Sequence, residues 1–193
     1  MWMFNILFRT KIMSEPSTQE TSFKSILDDD ATADFTIRCA TKEFRVHRNI
    51  LCARSPVFRA SILTPMQEAN KGEIFVEEIG EKVLGTVINF IYTGELELGD
   101  NPDILELAWA GTKYLLSGFM ENLALRLQMR KDEFSGKMIA DLLIAAHRHE
   151  SEDLRRIALG SIRADRKIFN DQGFRKGMKE ADPTIMMDIV KDL

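Results

Sequence analysis

The side chains that most often carry out catalysis are scarce in this sequence. It has three histidines, His47, His147 and His149, and two cysteines, Cys39 and Cys52. A thiol activated by an imidazole is a nucleophile, and Cys52 with His47 is the candidate pair. However, Cys52 lies in the apolar run 50–53, which predicts a buried and unreactive thiol. The sequence also contains no GxGxxG, phosphate-loop, GxSxG or HExxH motif, so we predict that the protein is not an enzyme.

The remaining histidines do not have the spacing of a zinc site. His147 and His149 are two positions apart in a predicted helix, so their side chains point about 200° apart, unlike the i, i+4 pair of a zinc helix. The two cysteines form no CxxC motif, and we expect both to be small core residues of a reduced, intracellular protein. We therefore predict no metal, no cofactor and no small-molecule substrate.

Composition argues against binding to nucleic acid or insertion into a membrane. The formal net charge is −4, and Lys and Arg are scattered along the chain. No apolar run approaches the roughly 18 residues of a membrane helix. Residues 1–8 are apolar, but Arg9 and Lys11 follow them, whereas a secretory signal has its basic residues first. We predict a flexible leader over residues 1–21, with a peripheral membrane contact as the alternative.

Hydrophobic alternation predicts three short strands. Apolar and polar residues alternate over 35–39 and again over 43–47, with a turn between them, as in a half-buried hairpin. A third strand is predicted over 74–78. A short apolar cluster at 23–27 precedes the strands and has helical spacing.

The rest of the pattern is helical. Ser55-Pro56 predicts the start of a helix, because a Ser hydroxyl can cap the first amides and Pro fits the first turn. Apolar residues at helical spacing predict another helix over 83–91, with Gly94 as its C-terminal cap. Further helices are predicted after Asn101 and Ser117, over 138–146 and 154–162, and in two short segments separated by Pro183. This order indicates an α+β fold with a helical tail.

Three of these segments, in order, resemble the signature of the BTB/POZ family. Asp34 enters the first strand, and residues 44–58 read Phe-x-x-His-Arg-x-x-Leu-x-x-x-Ser-x-x-Phe. Residues 90–94 read Phe-Ile-Tyr-Thr-Gly, and Ala110–Leu115 is similar to the family's Ala-x-x-Tyr-Leu with one extra residue. The resemblance implies a three-stranded sheet flanked by a helical cluster over residues 22–130, with Asp34 and His47 as fold-defining residues. We expect both side chains to be hydrogen-bonded.

Within the family, the likeness is closest to the MATH–BTB adaptors such as speckle-type POZ protein. It extends into residues 131–193, which resemble the three-box, or partial BACK, helices of those adaptors. Residues 1–21 are too few for the substrate-binding MATH domain of such relatives. The resemblance therefore implies dimerisation and cullin docking, while recruitment of a substrate is in doubt.

The resemblance also implies two binding surfaces. Cullin-binding members share a hydrophobic-x-Glu motif after the Ser-Pro helix, and Met66-Gln67-Glu68 lies at that place. The implied cullin-binding residues are Phe58, Ile62, Leu63, Met66 and Glu68. The family's dimer surface uses the first helix and the helix after the His, so the implied dimer interface consists of Phe23, Ile26, Leu27 and Ile50. The sequence pattern agrees, because an apolar cluster before the first strand needs a partner surface. Packing of this cluster against its own domain is the alternative.

These features together predict a homodimeric interaction protein of the nucleus or cytoplasm, which docks a cullin to form a ubiquitin ligase complex. Its partners would be a second copy or a BTB relative, and the N-terminal domain of a cullin. The alternative is a self-association module that pairs with full-length MATH–BTB relatives and has no ligase function.

Overall fold

A computed structural model of the chain describes residues 18–64 and 72–192. Met66 and Glu68 of the hydrophobic-x-Glu motif lie outside the described residues, as do residues 1–17 of the expected leader. The first described helix begins at Thr18, so residues 18–21, which we had assigned to the leader, are helical.

The described residues form three strands, ten α-helices and two 3-10 turns. The strands are β1 (Phe35–Arg38), β2 (Glu43–Val46) and β3 (Glu73–Phe75). The first six helices are α1 (Thr18–Leu27), α2 (Arg48–Arg54), α3 (Pro56–Leu63), α4 (Glu81–Thr93), α5 (Ile104–Lys113) and α6 (Phe119–Met129). The last four are α7 (Gly136–Arg148), α8 (Glu152–Ala164), α9 (Gln172–Lys179) and α10 (Pro183–Asp192), and the 3-10 turns are Lys131–Glu133 and Arg166–Asn170.

The three strands form one small mixed sheet with β1 in the centre, in the order β2-β1-β3. β2 pairs antiparallel with β1, as the hairpin pattern predicted, and β3 pairs parallel with β1. The inward side chains of β1, Phe35 and Ile37, are buried, whereas Arg38 faces solvent. β3 is shorter than the predicted segment 74–78 and begins one residue earlier. Its pairing ends where the Val76 amide donates to the Arg38 carbonyl, at 2.7 Å.

Local capping explains where several helices begin and end. The Ser55 hydroxyl accepts from the Phe58 amide and caps α3, as predicted, and Gly94 ends α4 with φ of 75°. Two predicted caps were wrong. The cap of α5 is Asp103 rather than Asn101, because the Asp103 carboxylate accepts from the Glu106 amide at 3.0 Å. α6 begins after Gly118, which has φ of 76° and no side-chain cap, rather than at Ser117.

The C-terminal helices pack directly onto the preceding helices. α7 contacts α5, and α8 contacts α6, so the hydrophobic core continues from the sheet into the extension. α9 crosses α7 at close range, where a Cβ at Gly177 would lie 2.7 Å from that of Ala140. At Gly136, a Cβ would collide with the carboxylate of Asp171, which caps α9. The crossing therefore depends on glycine at both positions.

Candidate functional site

A chain of hydrogen bonds runs from the buried Tyr92 to the exposed turn after α1. His47 is 7% exposed, and its backbone amide donates to the Tyr92 hydroxyl at 2.8 Å. The ring contacts Tyr92 through Nδ1 at 2.9 Å and the Thr32 hydroxyl through Nε2 at 2.9 Å. Thr32 in turn reaches the Asp29 carboxylate at 3.0 Å. His47 is therefore placed as a hydrogen-bonded structural residue.

The direction of this chain follows from the donors available. The Asp29 carboxylate can only accept, so the Thr32 hydroxyl donates to it and must accept from His47 Nε2. In the neutral ring, Nδ1 is then unprotonated and accepts from the Tyr92 hydroxyl. Both ring nitrogens are thereby occupied, and neither is available as a base for a thiol.

Asp34 holds the start of α2 although it lies 14 positions before Arg48 in the sequence. Its carboxylate accepts from the Arg48 amide at 2.9 Å, and its own amide donates to Val46 at 3.2 Å. The His47 side chain gives no cap to α2, so Asp34, the residue before β1, supplies one. The Arg48 guanidinium lies 4.7 Å from the centre of the Phe35 ring. Asp34 therefore couples the sheet to α2.

The cysteines differ from what the sequence indicated in one respect. Cys39 is buried, but Cys52 is half-buried, because in the run 50–53 only Leu51 points fully inward. The expectation of a fully buried Cys52 was wrong, since α2 turns its flanking residues outward. In the described part of the chain, no cluster of three or more His, Cys, Asp or Glu side chains could hold a metal ion. His147 is exposed, and His149 Nδ1 contacts the Thr112 hydroxyl at 3.1 Å.

Both tyrosines of the chain should ionise at a higher pH than a free tyrosine. Burial raises the pKa of Tyr92, and it raises the pKa of Tyr114 to about 12. Because unfolding restores the ordinary pKa near 10, ionisation favours the unfolded chain, and stability should fall as pH rises beyond that value. Tyr92→Phe leaves Tyr114 as the sole reporter. Its tyrosinate absorbance in the native chain should appear well above pH 10, and titration near 10 while circular dichroism is still native would contradict this.

The helix α3 exposes fewer apolar side chains to solvent than the sequence suggested. Phe58 and Ile62, which were expected to bind a cullin, are 0% and 5% exposed. Phe58 stacks on Tyr114 with ring centres 4.5 Å apart. These two side chains belong to the core, so they support the helix and do not form a binding surface. Leu63 is different, because it is 62% exposed at the end of α3.

The turn between α5 and α6 carries a second exposed leucine that sequence reasoning missed. Leu115 is 58% exposed and has φ of 49°, a left-handed conformation unfavourable for a branched side chain. The turn is fixed to α3, because the Ser55 hydroxyl donates to the Tyr114 carbonyl at 2.6 Å. We call the surface formed by Leu63, at the end of α3, and Leu115, in the α5–α6 turn, the α3 edge.

The residues of the expected dimer surface are all half-buried. Ile26, Leu27 and Ile50 pack in part against the core of their own chain. α1 and α2 both lie against α4, which explains this partial burial. Phe23 is half-buried and is absent from that core packing. We call these four residues the α1 patch, and each retains an accessible part that a second copy can cover.

Comparison with known proteins identifies the family. The BTB/POZ domain family matches residues 23–131. Kelch-like protein 40 of Xenopus tropicalis is 38% identical over 44% of this chain and 14% of that protein. TD and POZ domain-containing protein 5 of Mus musculus is 31% identical over 79% of this chain and 44% of that protein. BTB/POZ and MATH domain-containing protein 3 of Arabidopsis thaliana is 21% identical over 86% of this chain and 43% of that protein.

The chain spans less than half the length of each of these relatives. Within the described ranges, the helices are too short or too polar to cross a bilayer. The α+β fold with its small three-stranded sheet agrees with the fold that the family resemblance implied. Since the family match covers more than half of the sequence, the protein belongs to the BTB/POZ family.

Proposed function

We propose that the protein is an intracellular, dimeric adaptor that docks a cullin N-terminal domain through the α3 edge. BTB/POZ proteins are generally interaction proteins and not enzymes, and the relatives include Kelch-like and MATH-containing members. We propose MATH–BTB adaptors such as speckle-type POZ protein as its functional counterparts, with residues 131–193 as three-box helices. The nucleus and the cytoplasm are both compatible with this role.

The observation that carries the proposal is that α3 and the turn bonded to it each expose a leucine. Leu63 and Leu115 are 62% and 58% exposed, at the end of α3 and in the turn that is bonded to the start of α3. Phe58 stacks on Tyr114, and the Ser55 hydroxyl donates to the Tyr114 carbonyl, so α3 is held against the turn that carries Leu115. A side chain that is already fixed in place loses little entropy on binding. Leu115 also adopts a strained conformation, and strain of this kind is concentrated at functional sites.

The hydrophobic-x-Glu motif continues this surface in the sequence. Met66 and Glu68 follow Leu63 by three and five residues. We propose that Met66 supplies a third anchor and that Glu68 supplies a carboxylate for a basic group on the cullin. The two residues should then act together as a small hot spot.

Cullin binding by variants of this motif tests the proposal. Met66→Ala should weaken binding to a cullin N-terminal domain by about thirtyfold, since removing a buried interface side chain costs about 2 kcal/mol. Glu68→Lys should also weaken it, and that loss should shrink in high salt because rim charges are screened. Isothermal titration calorimetry would measure both effects, and neither variant should lower the melting temperature.

Gln67→Ala is the matched control, because the intervening side chain should point away from the cullin. Leu115→Ala tests the part of the surface that the fold revealed and should also weaken binding. If the unmodified chain does not bind, or if Met66→Ala binds as tightly, the cullin role is wrong. A self-association module that pairs with full-length MATH–BTB relatives would then be the better account.

A further inference from the structure

A groove runs along the first half of α4 and the segment that follows this helix. Its apolar surface is formed by Val83, Leu98, Pro102 and Leu107, and its volume is about 530 Å³. We call it the α4 groove. A volume of this size can hold a small ligand or a few side chains.

The α4 groove continues towards α1. A neighbouring cavity of about 720 Å³ lies between Leu27 of α1 and Phe44 of β2, and it shares Glu97 and Leu98 with the groove. Lys24 of α1 lies 4.0 Å from Glu97. The groove is therefore close to the helix that directly follows the N-terminal residues.

The rim of the α4 groove is acidic. It carries four carboxylates, Glu81, Glu97, Asp103 and Glu106, against the single lysine Lys82. Three of these carboxylates accept from uncharged donors: Glu81 from the Thr41 hydroxyl, Asp103 from the Glu106 amide, and Glu106 from the Gly80 amide. Their negative charge is thus not neutralised by these contacts. A ligand that is apolar with adjacent positive charge would complement the groove.

The N-terminal sequence of the same chain has this chemistry. Residues 1–8 include two methionines, a tryptophan, two phenylalanines, an isoleucine and a leucine, and Arg9 and Lys11 follow. The first acidic residue is Glu15. We propose that residues 1–13 occupy the α4 groove of their own chain, with apolar side chains against Leu98 and Pro102 and the two cations at the acidic rim.

The connecting chain is long enough for this contact. Thr18 lies six residues before Lys24 on α1, or about 9 Å along the helix axis. Residues 9–17 can span roughly 30 Å when extended. The segment therefore reaches Glu97 and the α4 groove without leaving its own protomer. Such a tether gives a local concentration in the millimolar range, so even a weak intrinsic affinity suffices.

Tryptophan fluorescence tests this proposal directly, because the chain has two tryptophans, Trp2 and Trp109. In a Trp109→Phe chain, Trp2 is the only tryptophan, so excitation at a wavelength that tyrosine does not absorb reports on Trp2 alone. We expect its emission to be shifted to the blue and several-fold less quenched by iodide than that of a free peptide of residues 1–13. Leu98→Asp and Glu97→Lys, each added to Trp109→Phe, should return both readings towards those of the free peptide.

Leu125→Asp is the matched control, because Leu125 is a 59% exposed leucine on α6 outside the groove. It should leave Trp2 unchanged. Far-UV circular dichroism would confirm folding, and Glu97→Lys keeps the test valid if Leu98→Asp misfolds, since Glu97 is exposed. Solvent-like emission in the Trp109→Phe chain would overturn the proposal. A blue shift that disappears on dilution to the monomer would also overturn it, because the segment would then bind a second copy. A blue shift that appears only with anionic vesicles would overturn it as well, because the segment would then bind a membrane.

Discussion

The Ile26→Asp, Ile50→Asp double variant should be a folded monomer under conditions in which the unmodified chain is a dimer in light scattering at micromolar concentration. A two-fold interface built on the α1 patch places each new carboxylate in an apolar contact without a cationic partner. A buried unpaired charge costs several kcal/mol, so the dissociation constant should rise more than about a thousandfold. Sedimentation equilibrium would measure the change.

The fold identifies a cleaner variant for the same experiment. Ile26 and Ile50 also pack against their own core, so their replacement can lower stability as well. Phe23 is half-buried without that packing, and Phe23→Asp should break the dimer while the melting temperature of the protomer is kept. Leu125→Asp is the matched control on a distant helix and should remain dimeric. A monomeric unmodified chain would end the dimer hypothesis.

Phe58→Ala should destabilise the protein by about 3–5 kcal/mol, the usual cost of emptying a buried aromatic site. Phe58 is fully buried and stacks on Tyr114, so its removal leaves a cavity between α3 and the α5–α6 turn. Urea unfolding at neutral pH would measure the loss. The same change should weaken cullin binding indirectly, because it loosens the support of Leu63 and Leu115.

Leu63→Ala should affect binding rather than stability, in contrast to Phe58→Ala. Leu63 is 62% exposed, so its removal should change stability by less than about 0.5 kcal/mol while it weakens cullin binding. Phe58→Leu should lie between the two in stability and retain binding. If Phe58→Ala were as stable as the unmodified chain, the packing of α3 described above would be wrong.

Local chemistry made much of this fold predictable from the sequence. Alternating residues fixed the β1–β2 hairpin, and the hydroxyl of Ser55 and the left-handed Gly94 marked the boundaries of two helices. Each of these signals acts within a few residues. The roles of Asp34 and His47 came from the family resemblance, and the fold supplies the physical reason in their hydrogen bonds.

The parts that failed depend on contacts between distant residues. Phe58 and Ile62 share a helical face, but the sequence alone does not show that Tyr114 covers Phe58. The cap of α5 was misplaced for a local reason, because Asn101 and Asp103 are both good capping residues and the pattern does not rank them. Leu115 was missed because its exposure results from a turn geometry that leucine rarely adopts.

The close crossing of α7 and α9 restricts how this extension can diverge among homologues. A side chain at Gly136 requires a change at Asp171, and one at Gly177 requires more room at Ala140. Substitutions at these positions should therefore occur in pairs. The spacing Gly-x-x-x-Ala at 136–140, followed by Asp-x-Gly-x-x-x-Gly at 171–177, is a compact signature for finding other chains that carry the same helical tail.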